Sequence, residues 1–104
     1  MPESLSIKLR FALGEIDREL ADLQPLYDYA NQKDLDRIYT MAAAGALHGL
    51  YGGVKSIFKM VQAGYYRNHY SSLLDPVEVR GKLLRFPAVW KAVKAQIERF
   101  MEEA

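Results

Sequence analysis

The chain lacks cysteine and has little histidine, two residue types that particular classes of site require. Its 104 residues include no cysteine and only two histidines. Without cysteine the chain can form neither disulfides nor thiolate metal sites, and two histidines are too few for a histidine-rich metal site. We therefore expect no metal and no cofactor. The absence of cysteine also fits a reducing cytoplasm.

Long hydrophobic runs are missing as well. No apolar stretch approaches the ~20 residues that a membrane helix needs, and no basic segment followed by an apolar one opens the sequence as in a secretory signal. We expect a cytoplasmic protein with no membrane partner. A chain of this length builds one core, so we predict a single domain over 1–104.

The net charge is small, but its distribution is uneven. The formal net charge is +1, yet residues 1–36 hold four basic and eight acidic side chains, and residues 37–100 hold ten basic and three acidic ones. A basic second half suits an acidic partner or RNA, whereas two faces of opposite charge also suit the pairing of two identical subunits. Of these two interpretations we favour the pairing of subunits.

Apolar side chains recur every three or four residues in several segments, and no segment alternates as a strand does. The first stripe continues past Pro25, where we expect a kink near Leu23–Gln24. Asp34 is the expected N-cap of the second helix, and Asp75, which precedes a proline, that of the next. A final amphipathic helix of about four turns is predicted after Pro87. The prediction is an all-α, antiparallel helical bundle of three long helices.

The second predicted helix is rich in glycine. A narrow seam of mostly small residues is formed by Leu35, Ile38, Ala42, Gly45, Gly49 and Gly52, and Gly45, Gly49 and Gly53 recur every four residues. Glycine inside a helix costs about 0.5–1 kcal/mol relative to alanine, so a closely approaching helix or subunit must offset that cost. We predict an interface at the three glycines, and a homo-oligomer, most simply a dimer.

A polar cluster, Arg67-Asn68-His69-Tyr70, follows this helix. An imidazole can transfer a proton near neutral pH, and a guanidinium can stabilise charge on a phosphate, so Arg67 and His69 are the catalytic candidates of a metal-free ribonuclease. Adjacent residues point in different directions, however, and a hydrated basic turn explains the same cluster. RNA binding without cleavage is a further alternative, and its candidate residues are Arg67, Asn68, Arg80 and Lys82.

The segment Ala46–Phe58, with its Leu47-His48 pair, its tyrosine and its glycines, resembles the second helix of HEPN domains, and among them the HepT-like ribonuclease toxins. The similarity extends to the C-terminal helix around Val89-Trp90 and covers most of the chain. It implies a shortened HEPN-like helical domain, a homodimer and a metal-independent endoribonuclease. It also implies a toxin–antitoxin role with a nucleotidyltransferase antitoxin as the partner.

The catalytic motif departs from the family's pattern. Members carry an arginine followed four to six residues later by a histidine, and neither Arg67 nor His69 belongs to such a pair. Asn68 occupies the position aligned with that histidine, and the resemblance makes Tyr70 the candidate site of adenylylation by the partner enzyme. The chain is therefore either a non-catalytic copy, which we favour, or a protein that rebuilds a site from Arg67 and His69 of two subunits. A helical oligomerisation or adaptor module is the alternative from another class.

Overall fold

The computed structural model describes residues 3–61 and 75–103. These ranges form four α-helices and no strand: α1 (Glu3–Asp22), α2 (Gln24–Gln32), α3 (Arg37–Val61) and α4 (Pro76–Glu103). The predicted all-α class is confirmed, although four helices are present where three were predicted. Within the described ranges, none of the helices combines the length and the apolar character needed to cross a bilayer.

α1 and α2 are separated by a single residue, Leu23. The Leu23 amide donates to the Glu19 carbonyl at 3.0 Å, and the Tyr27 amide donates to the Leu23 carbonyl at 3.1 Å, so helical hydrogen bonding continues on both sides of the break. Pro25 lies in the first turn of α2, where its missing N–H removes no intrahelical bond. The interruption lies where the sequence predicted a kink.

Two aspartates fix the starts of the long C-terminal helices. The Tyr39 amide donates to the Asp36 carboxylate at 2.8 Å, so Asp36 caps α3, and the prediction of Asp34 was wrong by two residues. The Val77 amide donates to the Asp75 carboxylate at 3.0 Å, and α4 begins at the proline that follows, as predicted.

Pro87 lies inside α4, which runs without interruption for 28 residues. The sequence placed a separate final helix after this proline. Pro87 lacks the N–H that would bond the Leu83 carbonyl, a defect that costs about 3 kcal/mol in a helix interior. Leu83, Phe86 and Trp90 are buried in the same core on both sides of the proline. Burial of these side chains on both sides of Pro87 offsets the cost of the missing hydrogen bond, so α4 continues as one helix.

One hydrophobic core joins all four helices. Tyr51 of α3 packs edge to face on Phe86 of α4, with ring centroids 5.2 Å apart and planes at 89°. At the α2–α3 corner, Tyr29 and Tyr39 stack with centroids 3.6 Å apart. The largest fully buried side chains are mostly those of α3 and α4, with one from α1: Leu9, Leu47, Leu50, Val54, Ile57, Val79, Leu83 and Phe86.

α1 runs antiparallel to α3 and to α4. Its Glu19 side chain lies beside Gly49 and its Ile16 beside Gly53, so numbers fall along α1 as they rise along α3. Against α4, Asp17 contacts Trp90, while Arg10 and Leu13 share a cleft with Glu98 and Met101. For α1 the predicted antiparallel packing is correct.

α3 and α4, in contrast, run parallel. Leu35, just before α3, shares a cleft with Val77 at the start of α4. At the other end, Phe58 and Val61 share a cleft with Ile97 and Phe100. Residue numbers therefore rise together along the two helices. For this pair the prediction of an antiparallel bundle was wrong.

Candidate functional site

The predicted catalytic cluster lies outside the described residues. Arg67, Asn68, His69 and Tyr70 all fall between the two described ranges. Catalysis by Arg67 and His69, and modification at Tyr70, therefore stay predictions.

The other two predicted RNA ligands are engaged within the chain. The Arg80 Nε donates to the Ala30 carbonyl at 2.7 Å and so ties α4 to the end of α2. The Lys82 Nζ lies 3.4 Å from the Glu78 Oε1, and only 18% of the Lys82 side chain is exposed. These contacts explain both cations as parts of the fold, and RNA binding by Arg80 and Lys82 stays a prediction.

α3 has one side that the other described helices leave largely uncovered. We call this side the α3 outer face. Two of its members are large and apolar, since Ile38 is 76% exposed and Met41 is 63% exposed. The face comprises seven exposed residues that are almost all apolar or small: Ile38, Met41, Ala42, Gly45, Gly49, Gly52 and Ser56. Five members of the predicted seam, from Ile38 to Gly52, therefore lie on the exposed side of α3, whereas Leu35 precedes the helix and is buried in the core.

The four glycines of α3 have different surroundings. Apart from the adjacent residues and the nearby backbone of α3 itself, no atom of the described chain lies within 4 Å of the position that a Cβ would take at Gly45 or Gly52. At Gly49 a Cβ would lie 2.9 Å from the Glu19 Oε1, and at Gly53 it would lie 3.2 Å from the Ile16 side chain. Close packing on α1 therefore accounts for Gly53. No contact of this kind accounts for Gly45 or Gly52.

Charges of opposite sign flank the α3 outer face. On the edge beside Gly49, α1 carries a formal charge of −1 from Lys8, Glu15, Arg18, Glu19 and Asp22. The Arg18 guanidinium lies 3.1 Å from the Glu15 carboxylate. On the other edge, helical spacing aligns Arg37, His48, Lys55 and Lys59 of α3 itself, all of them exposed. We call these the acidic edge and the basic edge. Burial raises the pKa of Glu19, and the nearby Asp22 and Glu15 raise it further.

A polar link joins α1 to α4 on another side of the bundle. The Trp90 Nε1 donates to the Asp17 Oδ1 at 2.8 Å, and the Lys94 Nζ donates to the Asp17 Oδ2 at 2.6 Å. Partial burial raises the pKa of Asp17, but the hydrogen bonds from Lys94 and Trp90 and the charge of Lys94 outweigh it, so the pKa lies below its ordinary value. The arrangement positions two helices and offers no unoccupied reactive group.

One buried hydroxyl has no hydrogen-bond partner among the described residues, that of Tyr27 on α2. Burial, with a smaller effect of the neighbouring Tyr51, raises the pKa of Tyr27 to about 12. Tyr27 also lines an open cleft of about 360 Å³ with Leu20, Gln24 and Pro87. The hydroxyl therefore stays neutral at physiological pH, and no described side chain or backbone group bonds it.

In the part of the chain that the structure describes, no group of three or more His, Asp or Glu side chains could hold a metal ion. The acidic edge is the feature that sequence reasoning missed, although its signal, acidic residues three and four apart on α1, was present.

Comparisons with known proteins found no matching family model, no matching curated protein and no matching solved structure.

Proposed function

We propose that this chain is a shortened HEPN/HepT-like protein of a toxin–antitoxin or related nucleic-acid-defence system, located in the cytoplasm. Its role in this proposal is association rather than cleavage: it pairs with a second copy through the α3 outer face. The residues that resemble the family, Ala46–Phe58, lie on α3. The protein thus keeps a subunit contact, and through it the means to join a larger complex.

The observation that carries this proposal is the open space beside Gly45 and Gly52. Each glycine in a helix interior costs about 0.5–1 kcal/mol relative to alanine. Within the described chain no side chain or backbone approaches closely enough to need the missing Cβ. Exposed Ile38 and Met41 extend the same surface. A second subunit that packs against the backbone here would offset the cost and cover the two apolar side chains.

The sequence supports a non-catalytic role. Neither Arg67 nor His69 belongs to an arginine–histidine pair with the spacing that the family uses. Proton transfer and charge stabilisation must act on the same phosphate, so a displaced pair loses both contributions together. A subunit that associates without cutting RNA fits this departure.

The association is tested by measuring the molecular mass of the protein with light scattering as it elutes from a size-exclusion column. We expect a mass of twice the 11.9 kDa chain for the wild type and of one chain for Gly45→Leu. Gly14→Leu on α1 is the matched control, because a Cβ at Gly14 also meets no atom of another described element within 4 Å. The control should remain a dimer. A Gly45→Leu variant with the wild-type mass would contradict the proposed surface.

RNA cleavage is the second candidate, favoured by the proximity of Arg67 and His69 in the sequence. In that case the protein would cut RNA in the presence of EDTA, His69→Ala would abolish the cut, and Tyr70 would be the group that a nucleotidyltransferase partner modifies. The main proposal expects RNA to stay intact. Cleavage that disappears in His69→Ala would replace the non-catalytic role with the enzymatic one.

A further inference from the structure

We infer that two copies of the chain pack with their α3 helices parallel, about a two-fold axis that runs along the helices. This inference rests on the proposed function, since it takes the α3 outer face as the surface of contact. It adds the orientation of the second copy, which the charges on the two edges of the face determine.

The two edges have opposite charge over the same length of helix. Ile16 lies beside Gly53 and Glu19 beside Gly49, so Glu15 of the acidic edge stands at about the height of Lys55 on the basic edge. Between the two edges the α3 outer face carries no ionisable side chain. Each copy therefore presents a neutral strip with an acidic side and a basic side.

Symmetry allows two ways of pairing this strip with itself. A two-fold axis along α3 places the acidic edge of one copy against the basic edge of the other, twice in each dimer. A two-fold axis across α3 makes the helices antiparallel and places acidic on acidic and basic on basic. Like charges at an interface disfavour an arrangement, and opposite charges favour it. The parallel pairing is therefore the one that the charges select.

The glycines fit the same arrangement. In a parallel pair each residue of the outer face meets its own counterpart, so Gly45 faces Gly45 of the partner subunit and Gly52 faces Gly52 of the partner subunit. Packed helices usually lie 8–10 Å apart, depending on the side chains at the contact, and glycine at the contact permits the lower end of that range. Ile38, at the N-terminal end of the face, then packs against its own counterpart.

Single-cysteine variants test the orientation directly, because the chain has no cysteine of its own. Gly45→Cys and Gly52→Cys place a thiol where no side chain of the described residues interferes. The two positions are about 10 Å apart along α3, whereas a disulfide joins Cα atoms about 4–7 Å apart. Under mild oxidation we expect each variant to form a disulfide dimer with itself. Gly14→Cys on α1 should form little or none.

The possible outcomes distinguish a wrong orientation of the helices from a wrong proposed function. Efficient self-crosslinking of both variants supports parallel helices. A dimer that crosslinks only in a mixture of Gly45→Cys with Gly52→Cys overturns the parallel orientation and keeps the α3 contact. A dimer by light scattering that forms no disulfide in any of these experiments overturns both. A monomeric wild type also overturns both.

Charge reversal provides an independent readout. Lys55→Glu should weaken dimerisation by up to roughly thirty-fold, because the contact occurs twice in each dimer and an exposed ion pair contributes at most about five-fold. The double variant Glu15→Lys with Lys55→Glu should recover part of that loss, since it also removes the salt bridge between Glu15 and Arg18. The comparison is made by sedimentation at low salt, where screening is weakest. Tighter dimerisation of Lys55→Glu, or no recovery in the double variant, would overturn the pairing of opposite edges.

Discussion

Alanine at Gly45 and Gly52 should stabilise the isolated chain and weaken the dimer. Among the described residues each added methyl group meets nothing within 4 Å beyond its own helix, so the substitution keeps the full gain in helix propensity. That gain is about 0.5–1 kcal/mol for each site, or about 1–2 kcal/mol for the double variant. In a domain of this size each kcal/mol shifts Tm by about 4–8 °C. In the dimer the same methyl groups separate the two backbones.

The assay is thermal unfolding, followed by far-UV circular dichroism, at a low and a high protein concentration. At low concentration, where the monomer dominates, the double variant should melt about 4–16 °C above the wild type. At high concentration the wild type gains stability from association, because binding of a second copy stabilises only the folded state. The advantage of the variant should therefore shrink or reverse as concentration rises.

Two other glycines supply controls. Gly14→Ala should raise Tm by the same amount at every concentration, because Gly14 is equally open but lies on α1. Gly53→Ala should raise Tm by less, because its methyl group would lie 3.2 Å from the Ile16 side chain. If the variant at Gly45 and Gly52 lowered Tm in the monomer, the open space would be refuted. An equal gain at every concentration would refute the contact with a second copy.

Three further predictions concern the fold itself. Asp36→Ala should lower the urea unfolding free energy by about 1 kcal/mol and Asp34→Ala should not, since Asp36 caps α3; equal effects would contradict this cap. Tyr27→Phe should leave stability unchanged or raise it by about 1 kcal/mol, because it removes a buried hydroxyl without a partner; a clear loss would show that the hydroxyl is bonded. The pKa of Asp17 is lowered in the folded state, so its ionised side chain stabilises the fold. This contribution to the free energy of unfolding is complete above the ordinary pKa of 3.8 and is lost as pH falls through the lower pKa of the folded state. The stability curves of wild type and Asp17→Asn should therefore converge in acid, and an NMR titration that gave a pKa above 3.8 would contradict the link to Trp90 and Lys94.

The positions of the helices were largely readable from the sequence. The apolar stripe of α1 and α2, the proline at the break and the Asp75 cap all follow from local rules of helix formation. Asp34 and Asp36 are equally good caps by composition, and only the structure chooses between them. In the structure Leu35 is buried just before the helix. Because α3 begins after it, Thr40 and Ala43 face the core and are buried.

Directions and faces were less readable. Periodicity predicts that a helix has an inner side, but it does not say whether two helices run parallel, and α3 and α4 do. On α3 the small residues and the large apolar ones form two candidate inner sides. The large ones, such as Leu47 and Leu50, bury more area and entered the core. The predicted interface at Gly45 and Gly49 thus lies on the outer face, while Gly53 packs on α1.

The most direct test of this account is the mass of the unmodified chain in solution. Sedimentation equilibrium over a range of concentrations should give a reversible approach to twice 11.9 kDa, and Gly45→Leu should stay at the mass of one chain over the same range. A wild type that sediments as one chain at the highest concentration would contradict the claim that the α3 outer face binds a second copy. A Gly45→Leu variant that dimerises as tightly as the wild type would contradict it equally.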